Sequence, residues 1–268
     1  MVTTPTDPNP RRGLSPALKA FLFAGLPVLF VGMLVLAVFA AVPLLSGDGV
    51  DLDYRAPAGS SVRVEVPDAR LDFVAAEGDE VVVQVTGRHT GQEPELHIET
   101  VGDETLIEGG CPRQWFSFCS LQVQVELPPD VDLAVTGTNG AISVQGQEGA
   151  LDLGTTNGRI ELDDVSGAVT AVTTNGAIEL REGAGERVSA RTTNGGVDLE
   201  FSTPPTVVEA RSTNGGIGIR LPDDGESYFL DAQTTNGGIG GNVESDRRAE
   251  RTVTARTTNG GITIDWAD

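Results

Sequence analysis

The sequence predicts an all-β fold: a β-solenoid ectodomain, built like a single-stranded β-helix, preceded by one transmembrane α-helix. Three observations carry this. The tripeptide Thr-Asn-Gly occurs seven times, with Asn at 139, 157, 175, 194, 214, 236 and 259. Apolar and polar residues alternate on both sides of each tripeptide. No charged residue lies between Ala20 and Ser46.

Residues 1–19 carry Pro5, Pro8, Pro10 and Pro16 among Thr and Asn. They offer too few apolar side chains to bury and are expected to form a disordered cytoplasmic tail. Residues 20–45 are apolar apart from Gly25, Pro27, Gly32 and Pro43. As a helix they reach about 39 Å at about 1.5 Å per residue, enough to cross roughly 30 Å of hydrocarbon with some tilt. A cleavable signal peptide has a shorter apolar region, about 7 to 15 residues, although Val38-Phe39-Ala40 before Ala41 would serve as a cleavage site. Arg11, Arg12 and Lys19 precede the span against Asp7 alone, and Asp48, Asp51 and Asp53 follow it. That bias places the N-terminus in the cytoplasm and the rest outside, at the cell membrane. Residues 46–60 read as a linker.

Within residues 131–268 the tripeptide recurs at spacings of 18, 18, 19, 20, 22 and 23 residues, the mark of a repeat architecture. Six and four residues before each Asn stand apolar pairs such as Leu133/Val135, Val188/Ala190 and Val253/Ala255. Three and five after stand pairs such as Ile142/Val144, Val197/Leu199 and Ile262/Ile264. Each unit is therefore strand, corner, strand. The inward positions at −4 and +3 differ by an odd number, so a bend must sit at Thr-Asn-Gly. Gly supplies positive φ and Asn tolerates it, the expected reason for the pair. A hairpin would leave the second apolar strand of each lone unit bare, whereas coaxial stacking buries all of them. Stacked about 4.8 Å apart, the seven Asn are expected to form an amide ladder.

Residues 61–130 also alternate, as in Ser61–Glu65, Leu71–Phe73, Val81–Val85 and Leu121–Leu127, but lack the tripeptide. They read as irregular opening rungs or a cap. The segment Val125-Glu126-Leu127-Pro128, then Leu133-Ala134-Val135, then the repeated x-Thr-x-Asn-Gly-x-Ile-x-Leu resembles a bacterial family of candidate adhesins, a domain of unknown function. The similarity runs from about residue 60 to 266. It implies an extracytoplasmic solenoid exposed at the surface, with a link in some members to envelope stress or antimicrobial-peptide sensing. It supplies no catalytic residues.

Composition narrows the function. With 39 acidic against 18 basic side chains the net charge is −21, which excludes a phosphate backbone as partner. Two His and two Cys leave no zinc set and little for a nucleophile; His89 and His97 read as surface or packing residues. Calcium loops of the nonapeptide kind need Gly-Gly-x-Gly-x-Asp, and here Gly-Gly precedes Ile217-Gly218-Ile219. Glu161, Glu179, Asp198 and Glu209 would serve a glycosidase only across a cleft, and a convex stack supplies none. No metal or cofactor is expected, and no enzyme activity.

Two features remain as binding candidates. Cys111 and Cys119 enclose Trp115, Phe116 and Phe118, and outside the membrane they are expected as a disulfide, worth roughly 2.5 kcal/mol on the loop-entropy estimate. The loop reads either as a plug on the open end of the core or as an aromatic finger for a partner or the bilayer. Three residues before Asn, outward positions read Val172, Arg191, Arg211, Gln233 and Arg256. Arg191, Arg211 and Arg256 would line up as a partial basic stripe for an anionic wall polymer or phospholipid, or serve as solvated ion-pair partners of nearby carboxylates.

The reading is a non-catalytic, adhesin-like binding or scaffold module recognising an envelope component or envelope protein. A regulatory subunit for envelope stress, acting through a partner protein, is the alternative. End-to-end homo-association is a third expectation, since the rung ending at Ile264 is nearly bare with Trp266 beside it.

Overall fold

The computed structural model describes Met33 and residues 48–112 and 119–267. Two units divide the chain, Met1–Gly47 and Asp48–Asp268, and every strand below belongs to the second. Among the described residues no helix is long and apolar enough to cross a membrane. The expected tail 1–19 and, Met33 apart, the expected span 20–45 lie outside them.

The repeats fold as the alternation requires. The strands are β8 (Asp132–Thr136), β9 (Ile142–Gln145), β10 (Leu151–Thr155), β11 (Ile160–Asp163), β12 (Val169–Thr173), β13 (Ile178–Gly183), β14 (Arg187–Arg191), β15 (Val197–Phe201), β16 (Val207–Arg211) and β17 (Ile217–Leu221). Even-numbered strands pair in parallel in one sheet, B, and odd-numbered strands in a second, A. The register keeps equivalent positions opposite one another: Leu151 beside Leu133 and Val169 in sheet B, Ile160 beside Ile142 and Ile178 in sheet A. Inward residues from both sheets, among them Leu153, Ala171, Ile160 and Ile178, are fully buried in one continuous core. The phase flip expected at Thr-Asn-Gly is present, since −4 and +3 both face inward.

The corner is held by three stacked interactions. Each Asn Nδ2 donates to the Asn Oδ1 of the preceding rung at 2.8–2.9 Å, from Asn157 on Asn139 through to Asn214 on Asn194. The buried hydroxyl two residues before Asn donates to the preceding rung's corner Gly carbonyl: Thr173 to Gly158 at 2.9 Å, Thr192 to Gly176 and Ser212 to Gly195 at 2.8 Å. Finally, a Cβ on Gly158, Gly176, Gly195 or Gly215 would strike the carbonyl of the corner Gly one rung back. This corrects the expected role of these residues. Among the corner glycines only Gly140 has positive φ, and no corner Asn has it. Gly is required because adjacent backbones approach too closely for a side chain, and Asn because it both donates and accepts.

The opening segment is more regular than its sequence predicts. Strands β2 (Ser61–Glu65) and β3 (Ala69–Ala75) make a rung stacked directly on β8 and β9, and β6 (Glu104–Gly110) and β7 (Cys119–Leu127) make the rung outside it. Asp68 takes the corner position there and accepts from Asn139 Nδ2 at 2.6 Å, so a carboxylate begins the ladder. Antiparallel strands β4 (Glu80–His89) and β5 (Glu95–Val101) close this end. The expected linker 46–60 instead holds β1 (Asp48–Pro57), antiparallel to β4, with Val50 buried and Leu52 and Tyr54 packed on the core.

At the other end the rungs are out of sequence order. Strands β18 (Tyr228–Asn236) and β19 (Ile239–Gly241) do not follow β16 and β17. Strands β20 (Arg251–Asn259) and β21 (Ile262–Trp266) sit between them, pairing β16 and β17 on one side and β18 and β19 on the other. The ladder follows the stack: Asn259 donates to Asn214, and Asn236 to Asn259. Apolar burial explains the order. The inserted rung carries Val253, Ala255, Ile262 and Ile264, all buried, whereas the outer one has Gly241 where other rungs have Val, Leu or Ile, so less apolar surface is left at the end. The connection past the inserted rung is tied down where Asp224 pairs with Arg251 at 2.8 Å. The expectation that the Ile264 rung ends the stack is thus corrected: Trp266 packs one layer in, 6.0 Å from the Tyr228 ring.

The close approach at the corner makes a testable distinction between neighbouring glycines. Gly176→Ala is expected to lower unfolding free energy by about 1–3 kcal/mol in urea titration. Gly196→Ala, whose Cβ would lie an ordinary 3.5 Å from the Gly216 carbonyl, should change it by no more than about 0.5 kcal/mol.

Candidate functional site

The outward face of sheet B carries the arginine column. Register places Val172 beside Arg191, Arg191 beside Arg211, Arg211 beside Arg256 and Arg256 beside Gln233. In sequence order Gln233 falls between Arg211 and Arg256; the exchanged rungs remove it and make the three arginines contiguous. Parallel strands place them about 4.8 Å apart. Beside them run Thr193, Thr213 and Thr258, which sequence reasoning did not select although their position directly before Asn marks them in every unit. Together these residues line a shallow depression of about 280 Å³.

The column is partly neutralised. Arg256 Nη2 donates to Asp231 at 2.6 Å, and Arg211 lies 3.8 Å from Glu209. Arg191 has no ion pair among the described residues, and Arg211 Nε is buried without an acceptor. The Arg256 hydrogen bond, aided by one from Gln233, holds the Asp231 carboxyl below its ordinary value. Like charges stacked this closely repel, so an anion laid along the column would relieve repulsion as well as gain charge-assisted hydrogen bonds.

Sheet A presents the opposite balance. Arg159 pairs with Glu161 at 3.2 Å and Glu179 at 3.4 Å, Arg181 with Glu179 at 3.3 Å, and Arg220 with Asp198 at 3.5 Å and Glu200 at 3.0 Å. These carboxylates are spent in a solvated ion-pair lattice across rungs. No group of three or more His, Cys, Asp or Glu side chains suited to a metal occurs among the described residues.

The Cys111–Cys119 disulfide is formed, and Cys111 Sγ lies 3.9 Å from the Asp68 carbonyl, close to the start of the ladder. Trp115, Phe116 and Phe118 lie outside the described residues. The Asn ladder occupies the corner, three positions along the chain from the arginine column, and serves the stack.

A family model matches residues 71–265, the Toastrack domain DUF4097. The chain belongs to this family. No protein of curated function matches it. A candidate adhesin from Bacteroides fragilis is similar in structure at 10% identity and a TM-score of 0.52, covering 83% of this chain and 98% of that one. One from Parabacteroides merdae aligns at 13% identity and a TM-score of 0.44, with the same coverage. At 10% identity the likeness to the B. fragilis protein shows the fold alone.

The Asp231–Arg256 contact has a pH signature. A carboxyl whose pKa is lowered by folding stabilises the protein above its ordinary value near 3.8 and loses that contribution as pH falls toward the folded value. Asp231→Asn should therefore show a shallower loss of stability than wild type between about pH 5 and about pH 2.5 in urea titrations; equal acid limbs would contradict the contact.

Proposed function

We propose that this protein is a membrane-anchored, extracytoplasmic, non-catalytic binding module of the cell envelope, and that the sheet B arginine column is its contact with an anionic envelope polymer. The uncharged run at 20–45, with Arg11, Arg12 and Lys19 before it and Asp48, Asp51 and Asp53 after it, supports an anchor with the N-terminus in the cytoplasm. The B. fragilis protein of the same fold is described as a candidate adhesin, in keeping with a binding role.

One observation carries the choice of surface: on a chain of net charge −21, three arginines stand in register on three consecutive rungs, one of them without a carboxylate partner among the described residues. A polymer with repeated charges meets such a column several times, so modest contacts multiply along its length. Charge-assisted hydrogen bonds from guanidinium, with threonine hydroxyls alongside, suit phosphate or carboxylate groups.

The test uses the full chain in detergent micelles, sedimented with purified wall fragments with and without their anionic polymer. Wild type is expected to cosediment with the polymer-bearing fragments, less at higher salt. The Arg191→Ser/Arg211→Ser/Arg256→Ser variant should lose at least about tenfold in affinity. Wild type that ignores both fragments overturns the reading. A Trp115→Ser/Phe116→Ser/Phe118→Ser chain that fails to bind while the arginine variant binds moves the contact to the disulfide loop.

A further inference from the structure

The two ends of the stack differ in how their edges are protected. At the β1 and β5 end the edge strands bear Asp48, Asp51, Asp53, Arg55 and Pro57, and Glu95, His97 and Glu99, charges and proline of the kind that discourage strand pairing. The β18 and β19 strands carry no such guard beyond the 242–250 connection that lies over the start of β18. Between Tyr228 and Gly241 the only charged residue is Asp231, and Arg256 already neutralises it. Ile239 is 54% exposed and Phe229 37%, while the inward-facing Leu230 and Ala232 are half-buried where the core comes to its end.

The backbone of this edge is unpaired over part of its length. Asp246 N donates to Tyr228 O at 2.9 Å and Ser245 Oγ accepts from Leu230 N at 3.0 Å, so the 242–250 connection covers only the first turnings of β18. Those two bonds turn Tyr228 C=O and Leu230 N–H outward, and strand alternation gives the same direction to the even-numbered residues as far as Thr234 N–H. Leu230 C=O, both groups of Ala232 and Thr234 N–H follow along the open edge.

We propose that the β18–β19 end is the interface for a second copy of this chain, joining two stacks end to end in a closed two-fold dimer. The open groups are self-complementary about Ala232. Antiparallel pairing centred there exchanges both bonds between the two copies of Ala232 and brings each Thr234 N–H to the opposite Leu230 C=O. Leu230 and Ala232 of one copy then meet Thr234 and Ala232 of the other on the inner face, and each Asp231 faces the other copy's Gln233 on the outer face. Self-complementarity selects this occupant and charge selects the stretch that meets it: two bodies of net charge −21 repel, and along 228–241 the edge carries one carboxylate, Asp231, which Arg256 neutralises. Because each molecule has one open end and one guarded end, the contact is isologous and stops at two.

The experiment is sedimentation equilibrium of the full chain in detergent micelles, up to about 100 µM. Wild type should fit a monomer–dimer equilibrium that tightens as salt screens the net charge. Ala232→Pro, which removes an N–H facing only the open edge, should abolish it. Gln233→Glu sets a carboxylate opposite Asp231 and should weaken association about tenfold, while Gln233→Lys should tighten it. Thr100→Lys, on the guarded β5 edge, should tighten it less than Gln233→Lys does. Circular dichroism and the urea midpoint of each variant report whether it remains folded. A monomeric wild type overturns the proposal, as do assemblies larger than two, a folded Ala232→Pro chain that still dimerises, or Gln233→Glu and Gln233→Lys acting alike.

Discussion

The stack depends on one spacing, the distance of about 4.8 Å between rungs at the Thr-Asn-Gly corner. At that distance an amide reaches the next amide, a threonine hydroxyl reaches the next glycine carbonyl, and no Cβ fits between backbones. Each interaction is modest alone, since a net hydrogen bond is worth about 1 kcal/mol. Their joint effect is on register. A slip of one residue would turn every inward Leu, Val and Ile to solvent, and the corner column forbids it at every rung. The ladder is also directional: each Nδ2 points toward Asp68, whose carboxylate receives the aligned dipoles at their positive end.

Fixed register turns a repeat in sequence into columns on a surface. Position −3 becomes the arginine column of sheet B, and positions +2, +4 and +6 become the ion-pair lattice of sheet A. The two faces of one rod thus differ in character, one bearing a contiguous cationic stripe and the other carboxylates already engaged. The exchanged rungs sharpen this contrast, because moving the 251–266 rung inward seals the core with Ile262 and Ile264 and closes the arginine column in the same step.

Much of the architecture was legible in the sequence because it rests on short-range periodicity. The seven Asn, the inward positions on both sides, the inside-outside flip and the disulfide all follow from spacing and residue type. What stayed hidden depends on contacts between distant segments. Asp68 has no tripeptide around it, and only its place beside Asn139 shows that it begins the ladder. The aspartates and proline of 48–57 read as linker, and the weaker signal of Val50, Leu52 and Tyr54 emerges only against β4. Rung order is not written in a repeat whose units have nearly equal affinity for each other; it is decided by small differences, Gly241 against Ile264, in how much apolar surface the last rung exposes. The shared column of Arg191, Arg211 and Arg256 was reached from position −3, but their contiguity was not, because it comes from the rung exchange that removes Gln233 from between Arg211 and Arg256.

The central claim is that the corner amides act as a directional chain of donors and acceptors, and a single substitution tests it. Asn194 donates to Asn175 and accepts from Asn214. In Asn194→Asp the side chain can donate only when protonated, so the fold raises its pKa; the stabilising state is present at low pH and is lost as pH rises through that raised value. Urea titrations of wild type and Asn194→Asp between about pH 3.5 and about pH 7 should therefore show a stability deficit that grows with pH. A deficit that is constant, or that shrinks as pH rises, would mean that the column does not work as a ladder.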